Sequence, residues 1–355
     1  MAVVHLLSVL LVLVAAVCAQ STNEPIPTTP TRSQPPALGA DGKPRPHLGE
    51  AMVAAINRGM NRTFMARRYD RFENRTRTEL KGFLGSAFEA SANRSKRAAA
   101  EPPVSASLPT SFDARKKWTK CAPMIGRIPD QSQCGSCYAV STVSVIQDRR
   151  CIRFNGTAKP PISAWDVVSC CPTCRADPNN GCNAGYVSEV FKWFNSEGIV
   201  SGGHFGGGGC KPYPVSPQAL SAPATTACSK TCQRAYKAAT YPKDKKKGRV
   251  YRMFYQENAV VMNEIMTNGP IVAAFDVYED FYQYSSGIYQ HVTRDLMGRH
   301  AVRVIRWGRE NGVDFWLVAN SWSTSWGEGG FFRIRRGTDE CGFESRMMAG
   351  SVYLM

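Results

Sequence analysis

The chain is predicted to be an α+β protein with a helical half followed by a sheet-rich half. Three features predict this. Directly behind Cys134-Gly135-Ser136-Cys137, the apolar residues Ala139, Val140, Val143 and Ile146 recur at helical spacing, and residues 137–197 read as helical. Beyond Gly269-Pro270, polar and apolar residues alternate over 271–278, 299–307, 314–320 and 331–335, the period of strands in a twisted antiparallel sheet or barrel. The first hundred or so residues differ from both halves in composition.

Residues 2–19 are almost wholly apolar, carry no Lys, Arg, Asp or Glu, and end in Val17-Cys18-Ala19. Residues 1–19 therefore read as a signal peptide with a small-residue cleavage site. The run is short for a spanning helix and has no charged flank beyond it, so a membrane anchor is not expected. Residues 20–47, rich in Pro, Thr and Ser, read as a flexible leader. From His47 to Ala90, Met52, Val53, Ile56, Met60 and Phe64 fall at helical spacing among many arginines, and the block closes on Lys81-Gly82-Phe83-Leu84-Gly85. The stretch 91–107 contains Lys96-Arg97 and Pro102-Pro103 and reads as an exposed, cleavable linker. Residues 20–107 are thus expected to be a propeptide, and 108–355 the working domain.

Thirteen cysteines become twelve once Cys18 leaves with the signal peptide. If Cys137 stays free to react, one more must also be unpaired, and Cys341 is the isolated candidate. Ten remain for five bridges of unassigned pairing: Cys121, Cys134, Cys151, Cys170, Cys171, Cys174, Cys182, Cys210, Cys228 and Cys232. Such density implies an oxidising route through the secretory pathway. It also favours bridges over a zinc site at Cys170-Cys171-Pro172-Thr173-Cys174, so no metal and no cofactor are expected. Four sequons, at Asn61, Asn74, Asn93 and Asn155, agree with export. The formal charge of +16 has one dense cluster, residues 243–249, with no nucleic-acid motif beside it, so a solvated loop is expected and a nucleic-acid partner is not.

Cys137 would sit in the first turn of its helix, where the positive end of the helix dipole and a protonated imidazole lower a thiol pKa below its usual value of about 8.5. The surrounding Gln131-Ser132-Gln133-Cys134-Gly135-Ser136-Cys137-Tyr138 resembles the nucleophile signature of papain and the cathepsins. Further signatures follow in the same order: Leu108-Pro109-Thr110-Ser111-Phe112-Asp113-Ala114-Arg115, Asp166-Val167-Val168-Ser169-Cys170-Cys171, Gly181-Cys182-Asn183-Ala184-Gly185-Tyr186, Asn268-Gly269-Pro270 and Cys341-Gly342-Phe343-Glu344-Ser345. From residue 108 to 354 the chain resembles the cathepsin B-like cysteine peptidases of the papain family. That resemblance implies a helical left domain, an antiparallel β-barrel right domain and an active-site cleft between them.

The resemblance also implies roles. Cys137 is the nucleophile; His300, in Gly298-Arg299-His300-Ala301, is its base; Asn320, in Ala319-Asn320-Ser321-Trp322, fixes the imidazole tautomer. His300 and Asn320 follow Cys137 by 163 and 183 residues, which suggests an insertion between the halves. Gln131 and the Cys137 N–H would stabilise the oxyanion. Trp322 would roof the His300–Asn320 bond, and an extended substrate would pair with the backbone near Ala184-Gly185. Protein and peptide substrates, the chain's own propeptide as inhibitor, cystatin-like inhibitors, a monomeric state, and residence in a lysosome or other acidic compartment, or secretion, are likewise implied.

The chain departs from the family at informative points. The stretch matching the histidine-bearing occluding loop of cathepsin B, residues 215–227, has no histidine and no cysteine, so endopeptidase action is expected. Arg299 stands where the family generally has glycine, and could hold a carboxylate or face solvent. Arg346 stands at the base of the S2 pocket where glutamate often receives basic P2 residues, so apolar or acidic P2 side chains are expected instead. Ser132, Gln133, Tyr138 and Ala184 replace the usual glycine, serine, tryptophan and glycine. They leave open an alternative, a weakened or inactive relative that binds peptides or inhibitors through the same cleft.

Overall fold

The computed structural model describes residues 49–59, 62–87, 108–157, 161–224, 226–254 and 257–352. The signal peptide, the 20–47 stretch, the 91–107 linker, Asn61 and Asn93 lie outside the described residues. The described residues belong to one compact unit. Among them no helix is long and apolar enough to cross a membrane.

The helices are α1 (Glu50–Arg58), α2 (Arg77–Lys81), α3 (Ala114–Lys117), α4 (Ala122–Ile125), α5 (Cys137–Arg153), α6 (Ala164–Cys170), α7 (Val187–Ser196) and α8 (Asn258–Asn268). The strands are β1 (Phe64–Ala66), β2 (Phe112–Asp113), β3 (Gly248–Phe254), β4 (Ile271–Tyr278), β5 (Tyr284–Tyr289), β6 (Leu296–Glu310), β7 (Val313–Ala319), β8 (Phe331–Arg335) and β9 (Met347–Val352). All nine strands join one sheet in the order β1-β5-β8-β7-β6-β4-β9-β3, with β2 beside β6. The architecture is α+β, but the sheet is open where a barrel was expected. Its two edges are β1, which comes from the leader segment 49–87 ahead of the working domain, and β3, which pairs only with β9, and no ladder joins them. One pair, β5 with β8, is parallel.

The leader departs from its helical reading too. α1 ends at Arg58, with Gly59 at its C-terminus in extended conformation, and Phe64 lies on β1 instead of a helix. β1 adds an edge strand to the sheet by pairing with β5. The short α2 is started by a capping box: Glu79 N–H donates to Thr76 Oγ1, and Thr76 N–H donates to Glu79 Oε2 at 2.7 Å.

α5 is buried on almost all sides, more than its apolar stripe predicts, because its polar side chains are matched to the sheet. Ser141 Oγ donates to Ala301 O at 2.7 Å, and Arg149 donates to the carbonyls of Pro270, Gly269 and Gly350 and to Glu264 of α8. Arg303 of β6 donates to Asp148 at 2.7 Å. A buried polar group costs little when it is hydrogen-bonded, so these pairs let the helix lie flat against β6. Cys137, at its first turn, is thereby delivered to the strand that carries His300.

Candidate active site

β6 and β7 are antiparallel neighbours in which Arg303 stands opposite Ala319. This register brings Asn320, just beyond β7, beside His300. His300 Nε2 donates to Asn320 Oδ1 at 2.7 Å, and His300 Nδ1 has no hydrogen-bond partner. With Nε2 carrying the proton, Nδ1 is the basic nitrogen. The Trp322 ring covers the imidazole at 4.8 Å between centroids and 29° between planes. Cys137 is a free thiol, and its Sγ accepts from the backbone N–H of Ala301, the residue after His300, at 3.4 Å. Cys137, His300, Asn320 and Gln131 are all buried.

Residues 84–87 of the leader lie beside the thiol, with Ser86 in an isolated bridge to Gly185. Gly185 N–H donates to Gly85 O at 3.0 Å, Ala87 N–H to Gly185 O at 2.8 Å, and Gly85 N–H to Arg299 O at 3.2 Å. Gly85 is required here, since a Cβ at that position would come within 1.8 Å of Gly135 O. Behind this segment, Phe72 packs edge-on to Phe83, Tyr282 and Trp322 at 5.1 to 5.3 Å. Arg71 pairs with Asp130 at 3.0 Å. Burial beneath this cover pushes the Cys137 thiol up to about 12, against N–H donors from Ala301 and Gly85, and pulls His300 down to about 4, against its bond to Asn320. The lowered thiol pKa expected from the helix start is therefore not a property of the leader-covered form.

Gln131 Nε2 donates to Phe83 O at 3.1 Å and to Cys134 O at 2.8 Å. Trp322 Nε1 also donates to Phe83 O, at 3.3 Å. Phe83 O of the leader thus accepts from both side chains. Gln131 is held by residues that sequence reasoning missed. Ser321 Oγ donates to Gln131 Oε1 at 2.5 Å, and Tyr213 OH donates to Gln131 O at 2.9 Å while bonding Ser136 Oγ at 2.7 Å. Ser321 was in view beside Asn320. Tyr213 sits in a stretch without periodicity, and nothing local marked it.

Gly185 is where the leader backbone pairs, and a Cβ there would meet Cys174 O at 2.2 Å and the Tyr138 ring at 2.6 Å. Tyr138 OH in turn donates to Gly181 O at 3.0 Å. Ala184 takes the left-handed conformation, φ 73°, that glycine would adopt without strain. Ser132 does so too, at φ 55°, and Gln133 Nε2 donates to Glu79 O of the leader at 3.0 Å. Arg299 and Arg346 both lean on one carboxylate: Arg299 Nε is 2.8 Å from Asp276 Oδ1 and Arg346 Nη2 is 3.1 Å from Oδ2. Asp276 was not predicted, because only the β4–β6 register puts it opposite Arg299.

The ten other described cysteines pair as Cys121–Cys151, Cys134–Cys182, Cys170–Cys228, Cys171–Cys174 and Cys210–Cys232, and Cys341 is the second free thiol. The Cys134–Cys182 bridge ties the loop before Cys137 to the segment that leads to Gly185. Asn74 and Asn155 are both exposed on turns.

Residues 108–351 match the family described as papain family cysteine protease. A gut-specific cysteine proteinase of Caenorhabditis elegans is 41% identical over 307 residues, 86% of this chain and 91% of that one. A cathepsin B-like cysteine proteinase 3 of the same organism is 47% identical over 251 residues, 70% of this chain and 67% of that one. Among solved structures, the proCathepsin B S9 from Trypanosoma congolense superposes with a TM-score of 0.73 at 33% identity, over 87% of this chain and all of that one.

Proposed function

Because the chain belongs to the papain family of cysteine proteases and is a cathepsin B-like cysteine peptidase, we propose a division of the chemistry among its residues. Cys137 gives its proton to His300 Nδ1 and attacks the substrate carbonyl carbon. The oxyanion is held by Gln131 Nε2 and the Cys137 N–H, each worth about 3 kcal/mol in other proteases. The imidazolium returns the proton to the leaving amine, leaving a thioester. A water molecule, deprotonated by His300, then attacks the thioester and frees Cys137. Asn320 keeps Nε2 as the donor throughout, and Trp322 shields that bond. The observation that carries this is the buried His300 whose Nε2 is committed to Asn320 and whose Nδ1 has no partner.

Residues 20–107 would act as an inhibitory propeptide, in keeping with the likeness to a procathepsin B, and removal of 83–87 would open Gly185 and Gln131 to substrate. Endopeptidase action follows from the missing histidine clamp in 215–227. What supports a non-basic P2 preference is Arg346, whose Nη2 is 3.1 Å from Asp276 Oδ2 and whose Nη1 has no hydrogen-bond partner among the described residues. Export through the secretory route, residence in a lysosome or other acidic compartment or outside the cell, glycans at the exposed Asn74 and Asn155, cystatin-like inhibitors and a monomeric state complete the proposal.

Hydrolysis of blocked dipeptidyl amides by the leader-free protein tests it. Cys137→Ser should abolish turnover, Phe-Arg should be cleaved faster than Arg-Arg, and an amidated C-terminus should be accepted as well as a free acid. Equal turnover by Cys137→Ser, or a marked preference for Arg-Arg or for free-acid ends, would count against it.

A further inference from the structure

Away from the catalytic pair, three side chains with different metal-ligating atoms converge. His291 lies just after β5, and Glu340 and Cys341 lie in the turn that precedes β9. His291 Nδ1 is 2.6 Å from Glu340 Oε1, Cys341 Sγ is 3.2 Å from the same oxygen, and Sγ and Nδ1 are 3.8 Å apart. Among the described residues this is the group of three such atoms lying within 4.8 Å of one another.

The triangle is close to one face of a zinc tetrahedron. Bonds of about 2.05 Å to nitrogen and about 2.3 Å to sulfur place those atoms about 3.6 Å apart, and here they are 3.8 Å apart. The carboxylate oxygen would withdraw from the nitrogen by roughly 0.7 Å to reach tetrahedral spacing, a movement available to a rotating carboxylate. The stacked Tyr278 ring, 4.2 Å from His291 and 14° from parallel, sets the imidazole plane. Glu340 and Cys341 are buried, whereas the His291 side chain is 36% exposed, so a cation would reach the triad from the His291 side.

We propose that His291 Nδ1, Glu340 Oε1 and Cys341 Sγ form a binding site for a borderline-soft divalent cation, zinc above all, with water as the fourth ligand. The competing explanation is a hydrogen-bonded trio with no affinity for metal. A bound cation would clip residue 291 to the segment 339–346, which ends at Arg346.

The test uses the Cys137→Ala chain from residue 20 onward, which lacks Cys18, the Cys137 thiol and any self-cleavage. Chelator-free protein with its five disulfides intact is titrated with cobalt(II) as a spectroscopic probe and then with zinc. One equivalent of cobalt should give a thiolate-to-cobalt charge-transfer band. One equivalent of zinc should abolish the band and raise the melting temperature. Cys341→Ser should remove the band and weaken zinc at least tenfold. His291→Gln, at a partly exposed position, should weaken zinc similarly. Absence of the sulfur band, or zinc affinity unchanged in both variants, would overturn the proposal.

Discussion

Phe72→Ala is the perturbation that most directly probes how the leader is held. Phe72 is 2% exposed and sits edge-on against Phe83, Tyr282 and Trp322, so its ring belongs to the same aromatic core as the tryptophan above His300. Truncating a buried phenylalanine to alanine typically costs 3–5 kcal/mol, the lost transfer energy plus the cavity left behind. The seat exists only while the leader is docked, so this loss falls on the docked state. At about 1.4 kcal/mol per factor of ten, the open population should rise at least about a hundredfold. The assay is the rate at which a thiolate-trapping epoxide modifies Cys137 in the intact, unprocessed chain, followed by mass spectrometry. Labelling requires opening, so the rate should follow the open population. A rate in Phe72→Ala within about twofold of the unmodified chain would refute the reasoning that the aromatic seat holds the leader down, and would leave the backbone pairs at Gly85 and Ala87 as the restraint.

Two further predictions follow from the same cover. Gly85→Ala puts a Cβ 1.8 Å from Gly135 O, a backbone atom that cannot swing aside, so the variant leader should fail to block peptidase activity in the unprocessed chain; inhibition equal to that of the native leader would contradict this. His300 is pulled down to about 4 from an ordinary 6.5, chiefly by burial. The folded state therefore binds fewer protons than the unfolded chain, and this contribution is fully present above about 6.5 and lost as pH falls through about 4. The gap is worth about 3 kcal/mol, so full-length Cys137→Ala should lose that much stability across the window, and the added His300→Gln should remove that part of the slope in urea melts.

Local patterns were legible where one strand or helix decides its own fate. The alternation over 271–278 and 331–335 matches β4 and β8, and the apolar spacing behind Cys137 matches the start of α5. What the sequence hid is set by pairing between distant segments. Phe64 fits a helical pattern, yet becomes a strand because Gly287 of β5 offers it an edge. Closure of a barrel depends on whether the edge strands meet, and β1 and β3 do not. Among site residues, the motifs around Cys137, His300 and Asn320 were readable, since each lies in a contiguous signature. Asp276 was not, because its meeting with both Arg299 and Arg346 depends on strand register and on a loop that returns 70 residues later. The same holds for Tyr213, whose hydroxyl reaches Gln131 across 82 residues.

The central claim, that Cys137 is a nucleophile activated by His300, is tested most directly by labelling the leader-free protein with the epoxide and sequencing the modified peptide by mass spectrometry. The account predicts one label per chain, on Cys137 and not on Cys341, and its loss in His300→Ala. Folded, leader-free protein that takes up no label at Cys137 would contradict it and point to a papain-fold protein that binds peptides without cleaving them.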